Sequence, residues 1–97
     1  MGRGGVAPDE VGGLLQGAGA GDVDALAAFY ERTSPLVFNL LNYALGEPAA
    51  AERATVRVYV HVWRTAPAFE PASMSGCAFL LRAVHRELDG RRRRTGT

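Results

Sequence analysis

The 97-residue sequence contains no lysine, a single cysteine and no apolar run long enough to cross a membrane. The lone Cys77 excludes an intrachain disulfide, which fits a reducing compartment, and residues 1–10 lack the apolar segment of a signal peptide. We therefore expect a cytoplasmic protein with no membrane partner. We attribute the absence of lysine to GC-rich coding. The formal net charge is only +1, but four consecutive arginines, Arg91 to Arg94, lie near the end.

The segment with the most apolar bulk, residues 52–64, fits two kinds of secondary structure. Valines alternate there with larger side chains, which is typical of a half-buried strand. The segment also fits a helix whose buried stripe would consist of Val56, Tyr59, Val60 and Trp63. No other segment offers an alternating pattern that could pair with a strand. We therefore predict a helix here, and an all-α domain in which Tyr59 and Trp63 are buried against a long preceding helix.

The rest of the chain predicts a small bundle of three main helices plus a short N-terminal one. We expect residues 1–10 to be a disordered lead-in, residues 11–90 to form the domain and residues 91–97 to form a basic tail. The glycines before Asp22 predict a flexible turn that ends at this N-cap. A phosphate loop is disfavoured because no strand precedes them. The apolar stripe that follows keeps its register across Pro35, which predicts one long helix that is kinked near Ser34 and Pro35 and ends at Gly46. Two helices joined at this point are the alternative.

The segment after the central helix predicts a loop and then a last helix. Residues 67–75 contain two prolines and two serines, and Ser73 or Ser75 can cap a helix that runs to about Leu88. Its buried stripe would be Cys77, Leu80, Leu81, Val84 and Leu88, and its exposed flank Phe79, Arg82, Arg86 and Asp89. An aromatic ring beside arginines suits single-stranded nucleic acid, which needs a ring for stacking and cations for phosphates. A merely solvated arginine face is the alternative.

Catalytic and metal-binding patterns are missing from the sequence. Cys77, His61 and His85 lack metal-ligand spacing, and no His, Ser and Asp set falls within one short motif. We interpret His61 as an exposed helix residue. We predict neither an enzyme nor a cofactor.

Four segments together resemble region two of the sigma-70 family, and most closely its extracytoplasmic-function (ECF) group. They are GD-x-x-A-L-x-x-F-Y (residues 21–30), SPLVFNL (34–40), YVHVWRTAPAFEP (59–71) and AFLLRAVHR-x-LD (78–89). The resemblance implies an all-helical domain whose central helix docks on the β′ clamp coiled coil of RNA polymerase. It also implies that the next loop and the last helix melt and hold the nontemplate strand of the minus-ten promoter element.

Carried onto this sequence, the resemblance assigns two groups of residues. The polymerase-binding group is Glu52, Arg53, Val56, Arg57, Val60 and Arg64. The DNA-binding group is Phe69, Ser73, Ser75, Phe79, Arg82, His85, Arg86, Arg91 and Arg92. In this second group Phe69 and the serines would provide the wall and the hydrogen bonds for a flipped base.

The sequence departs from the family pattern on the central helix. Family members carry an acid, two apolar residues, Gln and an acid where this chain has Arg53, Val56 and Arg57, so the polymerase face has changed sign. We expect like charges to weaken binding to core polymerase. Phe79 replaces the usual Trp, and the chain stops before a region four. Two functions thus remain open: a sigma factor that initiates transcription, and a degenerate sigma-like regulator that binds an anti-sigma factor or a partner sigma.

Overall fold

The computed structural model describes residues 8–96, and describes side chains from Glu10 to Arg91. Four α-helices make up this part of the chain, which contains no strand: α1 (Pro8–Gly19), α2 (Val23–Leu45), α3 (Pro48–Thr65) and α4 (Gly76–Gly96). A single 3-10 turn, Ala66–Ala68, follows α3. The predicted all-α bundle is confirmed, and the alternating valines lie in a helix.

Local signals account for the bounds of α2. The Asp22 carboxylate accepts hydrogen bonds from the backbone N–H groups of Asp24 and Ala25, at 3.0 and 3.2 Å. At the other end Gly46 has a φ of 73°, and its N–H donates to the Asn42 carbonyl oxygen at 2.8 Å. Pro35 lies inside the helix, so the prediction of one helix across this proline is confirmed. Pro48 then begins α3 in the first-turn position.

The face that α3 buries differs from the predicted one. Tyr59 is buried as expected, but Trp63, Val56 and Val60 are 56%, 61% and 42% exposed. The interior stripe instead consists of Ala51, Ala54, Thr55, Val58, Tyr59 and Val62. Helix α3 packs against both α2 and α4, and the alanines of its interior stripe permit a close approach there. The prediction of a buried Trp63 is therefore wrong.

A hydrogen-bonded tyrosine joins α2 to α3 inside the core. The Tyr59 hydroxyl lies 2.5 Å from the Thr33 hydroxyl, which itself bonds the Phe29 carbonyl oxygen at 2.7 Å. The Tyr59 ring also packs edge-on against Phe29 and Tyr30. Burial raises the pKa of Tyr59 to about 12, while the Thr33 hydrogen bond opposes this shift and the nearby Tyr30 adds to it. The phenol thus stays neutral and fixes the register of the two helices.

Glycines let α1 approach its neighbours more closely than other residues could. A Cβ on Gly76 would lie 2.7 Å from the backbone nitrogen of Gly12, and one on Gly19 would lie 2.7 Å from the Ala66 carbonyl oxygen. The predicted flexible glycine turn is therefore wrong for Gly17 and Gly19, which belong to α1. The turn itself is confined to Ala20 and Gly21, and Gly21 has a φ of 96°.

The predicted ends of the domain also need correction. Residues 8–10 belong to α1 and not to a disordered lead-in, whereas residues 1–7 lie outside the described part. Helix α4 continues past Leu88 to Gly96, through the arginine run. Among residues 8–96, no helix has the length and apolar character needed to span a membrane.

Candidate nucleic-acid interface

A cleft of about 390 Å³ opens between the carboxyl end of α3, the following loop and the first turns of α4. Two residues one turn apart on α4, Arg82 and Arg86, line it from one side. His61 and Thr65, also one turn apart, line it from α3. Its remaining lining residues are Met74, Phe79 and Ala83. The cleft thus combines two guanidinium groups, one imidazole and one aromatic ring.

The electrostatics of this cleft favour an anion. Arg82 and Arg86 are exposed, and no ion pair to either one is present within the described side chains. Acidic residues are absent from the lining. Partial burial lowers the pKa of His61, and the positive charges of Arg86 and Arg64 lower it further. An anion that enters the cleft would therefore meet cations with no bound carboxylate to displace.

The loop residues that were expected to form a base pocket are arranged differently from the prediction. Phe69 is only 7% exposed, and its ring packs edge-on against Phe79 with centroids 5.3 Å apart. Phe69 does not line the α3/α4 cleft, and its role as the wall of a base pocket stays a prediction. Ser73 and Ser75 are exposed. The Ser75 hydroxyl oxygen already accepts the Ala78 N–H at 3.1 Å, as the N-cap of α4.

Helix α4 turns a face to solvent that differs in part from the predicted one. Phe79 was expected to be exposed but is half-buried against the core. Cys77 and Leu81 were expected to be buried but are exposed, whereas Leu80 and Val84 are buried as predicted. Helix α4 is therefore rotated slightly from the predicted facing, which leaves Arg82 and Arg86 at the cleft and Phe79 at its base.

Two further residues predicted to bind DNA, His85 and Arg91, do not line the cleft. His85 is exposed on α4 but does not line the cleft. Arg91 is half-buried farther along the same helix. Arg92 belongs to α4, and its side chain lies outside the described ones. Of the nine residues predicted for DNA binding, the structure brings three together around the cleft: Phe79, Arg82 and Arg86.

A second groove, of about 450 Å³, lies on the other side of α3, between α2 and α3. Tyr30 and Tyr59 line it together with the exposed apolar side chains of Val56, Val60 and Trp63. Its other lining residues are Val23, Leu26, Ala27 and Glu31. This groove is almost entirely apolar, in contrast to the cationic cleft. It includes two of the predicted polymerase-binding residues, Val56 and Val60.

The charged residues predicted for polymerase binding divide into two groups. Glu52, Arg53 and Arg64 are exposed, and no ion pair involves them in the part of the chain with described side chains. Arg57 instead reaches across to α4, where its Nε donates to the Glu87 carboxylate at 2.7 Å. The charge of Arg57 is thus largely balanced within the protein, which the sequence pattern did not indicate.

Sequence reasoning missed four residues that line the cleft, namely His61, Thr65, Met74 and Ala83. One signal was available for the first of them. His61 falls on the same side of α3 as Arg57 and Arg64, and an α4 neighbour with its own arginines would face that side. Met74 gives no comparable signal, because its position depends on how the loop closes over α3.

Comparison with known proteins finds sigma factors. The chain is 38% identical over 73 residues to the ECF RNA polymerase sigma factor SigK of Mycobacterium sp. (strain KMS), covering 75% of this chain and 38% of the relative. The SigK of Mycolicibacterium vanbaalenii is 36% identical over 77 residues, covering 79% and 39%. The SigK of Mycobacterium ulcerans is 35% identical over 78 residues, covering 80% and 42%.

These similarities support an ECF sigma-like protein and agree with its all-helical fold. The chain spans about two fifths of the length of the relatives it matches. No family model matches the chain, and no solved structure matches it either.

Proposed function

We propose that the chain acts in transcription initiation as a sigma region 2-like module, whose cationic cleft holds the nontemplate strand of a minus-ten promoter element. The observation that carries this proposal is the cleft itself, where Arg82 and Arg86 stand beside the half-buried ring of Phe79 without a carboxylate among the lining residues. Guanidinium groups neutralise phosphates, and an aromatic face accepts a stacked base. Similarity to sigma factors supports the same assignment.

The arrangement also suggests how the loop would contribute. Phe69 packs from the interior against Phe79, so its role in this proposal is to hold the cleft-lining ring in place. The exposed hydroxyls of Ser73 and Ser75 lie on the loop that borders the cleft and can donate hydrogen bonds to a base edge. Arg91 and Arg92 would contact the strand beyond the cleft, along α4. His85 does not line the cleft and is given no contact with the strand in this proposal.

The test is binding of a fluorescently labelled thymidine oligonucleotide, measured by anisotropy over a series of salt concentrations. The variant R82A/R86A should bind more weakly, and each lost phosphate contact should reduce the salt slope by roughly 0.7 for a single strand. R32A/R53A is the matched control, because it removes the same charge away from the cleft. Equal losses in the two variants would reduce the proposal to a general charge effect.

For core polymerase, we propose that α3 provides the contact through the apolar groove and its rim, with Val56, Val60 and Trp63 exposed for a partner helix. Arg53 would still oppose arginines on the coiled coil that the resemblance implies. Arg57 contributes little to this repulsion, since Glu87 balances its charge. Charge repulsion at the polymerase contact is therefore best tested with the single variant R53E. The variant R57E would also place a second carboxylate beside Glu87.

The second candidate function is a sigma-like regulator that binds an anti-sigma factor or a partner sigma without initiating transcription. One observation favours it: the exposed face of α3 is apolar and cationic where the family pattern is acidic and amide-rich. A pull-down with core polymerase separates the two candidates. Retention of the wild type, improved by R53E, supports the sigma factor. No retention of either protein, with the oligonucleotide still bound, supports the regulator.

A further inference from the structure

His61 differs from the two cleft arginines because its side chain can change its charge near neutral pH. It is half-buried on α3 and faces Arg82 and Arg86 across the cleft. Arginine remains charged at every accessible pH, whereas imidazole gains or loses its charge near neutrality. The rest of the lining, Thr65, Met74, Phe79 and Ala83, does not titrate in that range. His61 is therefore the one lining residue whose charge can respond to the occupant.

The charges around His61 are almost all positive. Arg64 lies on its own helix, and Arg82 and Arg86 face it from α4. Arg57, one turn earlier on α3, is bound to the Glu87 carboxylate of α4, which is therefore already engaged. Burial and the charges of Arg86 and Arg64 lower the pKa of His61, which favours its neutral form.

A phosphate group in the cleft would raise the pKa of His61 again. Its negative charge would offset those of Arg82 and Arg86 and favour the protonated imidazole, which can then donate an additional hydrogen bond. The pKa of His61 would be higher in the complex than in the free protein, so binding would take up a proton. By linkage, affinity rises as the pH falls through this interval and levels off below the pKa of His61 in the free protein.

We propose that His61 is a nucleic-acid contact that couples phosphate binding in the α3/α4 cleft to proton uptake. The inference rests on the proposed function of the cleft and adds a residue that determines how tightly the strand is held at a given pH. The Arg82 and Arg86 contacts set a baseline affinity at all pH values, and protonated His61 adds to it at acidic pH.

The experiment uses the full chain and the same thymidine oligonucleotide at constant ionic strength between about pH 5.5 and 7.5, a range that contains the ordinary histidine pKa. Thymine and phosphodiester groups do not titrate there, so any change with pH comes from the protein. Wild-type affinity should increase by about threefold to tenfold toward acidic pH, since the upper value is the increase expected when binding raises the pKa of His61 by about one. H61Q should bind at all pH values as the wild type does at neutral pH. H61R should bind tightly throughout.

The control is H85Q, since His61 and His85 are the two histidines of the chain. H85Q should keep the pH dependence of the wild type. It also leaves one imidazole, whose NMR titration should move to higher pH when the oligonucleotide is added. Circular dichroism at both ends of the pH range checks that each variant is folded.

The outcomes separate the inference from the proposed function. If salt-dependent binding persists but its pH dependence is absent, or is unchanged in H61Q, the inference is overturned and the cationic cleft stands. If the pH dependence disappears in H85Q instead, the coupled residue is His85 and the inference is likewise overturned. If R82A/R86A binds as well as its matched control, the cleft proposal fails and the inference fails with it.

Discussion

The two grooves that flank α3 differ in the side chains they offer a partner. The α2/α3 groove exposes Val56, Val60 and Trp63 and is almost entirely apolar, while the α3/α4 cleft is lined by His61, Arg82 and Arg86. One helix forms a wall of both, and His61 and Trp63 are only two positions apart in sequence. A narrow buried stripe is thus sufficient to hold α3 in the bundle. The rest of the α3 surface thus presents an apolar face on one side and a cationic face on the other.

The largest expected effect tests which side chains of α3 are buried in the core and which line the open α2/α3 groove. Tyr59→Ala should reduce the free energy of unfolding by about 3–5 kcal/mol, because it leaves a cavity beside Phe29 and removes the partner of the Thr33 hydroxyl. Trp63→Ala should reduce it by less than about 1 kcal/mol, since the indole is 56% exposed. Urea unfolding of both variants measures the difference. Similar losses would contradict the observed facing of α3.

A smaller effect is expected from a substitution at the start of α4, which should affect the α3/α4 cleft but not the α2/α3 groove. Gly76→Ala should cost roughly 1–3 kcal/mol, because its Cβ would meet backbone atoms of Val11 and Gly12 at 2.7 to 3.0 Å. We expect α4 to shift to relieve this contact, which should weaken oligonucleotide binding in the cationic cleft and leave the α2/α3 groove unchanged. Thermal unfolding gives the loss of stability, and oligonucleotide binding reports the cleft.

Gly13→Ala is the matched control for this change. Its Cβ would have no neighbour within 4 Å, so it should stabilise α1 by up to about 1 kcal/mol through helix propensity. A Gly76→Ala variant as stable as Gly13→Ala would show that the α1/α4 contact can open without cost.

The smallest effect concerns the ion pair that joins α3 to α4. A double-mutant cycle on Arg57→Ala and Glu87→Ala should give a coupling free energy of about 0.2–1 kcal/mol, because water reaches the pair through the Arg57 side chain, which is 43% exposed, although that of Glu87 is only 12% exposed. Chemical denaturation at low and high salt measures it, and the coupling should shrink as salt is added. Arg53→Ala, which removes an exposed arginine of the same helix, should show no coupling to Glu87→Ala. Coupling of equal size there would indicate a general charge effect.

Local signals made much of the fold predictable. The Asp22 cap, the Gly46 terminus and the Pro48 start are all encoded within a few residues of the helix ends they define. The continuous register across Pro35 correctly indicated one helix, and the absence of strand partners correctly decided against a strand in residues 52–64. Each of these inferences depended on short-range geometry, which the sequence contains directly.

The facing of α3 was not predictable in the same way. Its valines fall on two faces, Val56 with Val60 and Val58 with Val62, so hydrophobic periodicity could not decide which face would be buried. The choice was made by Ala51 and Ala54, whose small size permits close packing, and hence by long-range contacts. The burial of Phe69 was not predictable for a similar reason. This residue is buried by an approach of α1 at Gly12, more than 50 residues earlier, where a Cβ would lie 3.9 Å from its ring.

The exposed position of Trp63 has a spectroscopic consequence. It is the single tryptophan of the chain, and its indole lies in the apolar groove, on the side of α3 away from the cationic cleft. Indole emission shifts to shorter wavelength when water is removed from around the ring. An unlabelled protein can therefore report occupancy of the apolar groove by its own fluorescence, while a nucleic acid in the cleft leaves that emission maximum in place. The fluorescence of Trp63 alone thus distinguishes a partner bound in the apolar groove from a nucleic acid bound in the cleft.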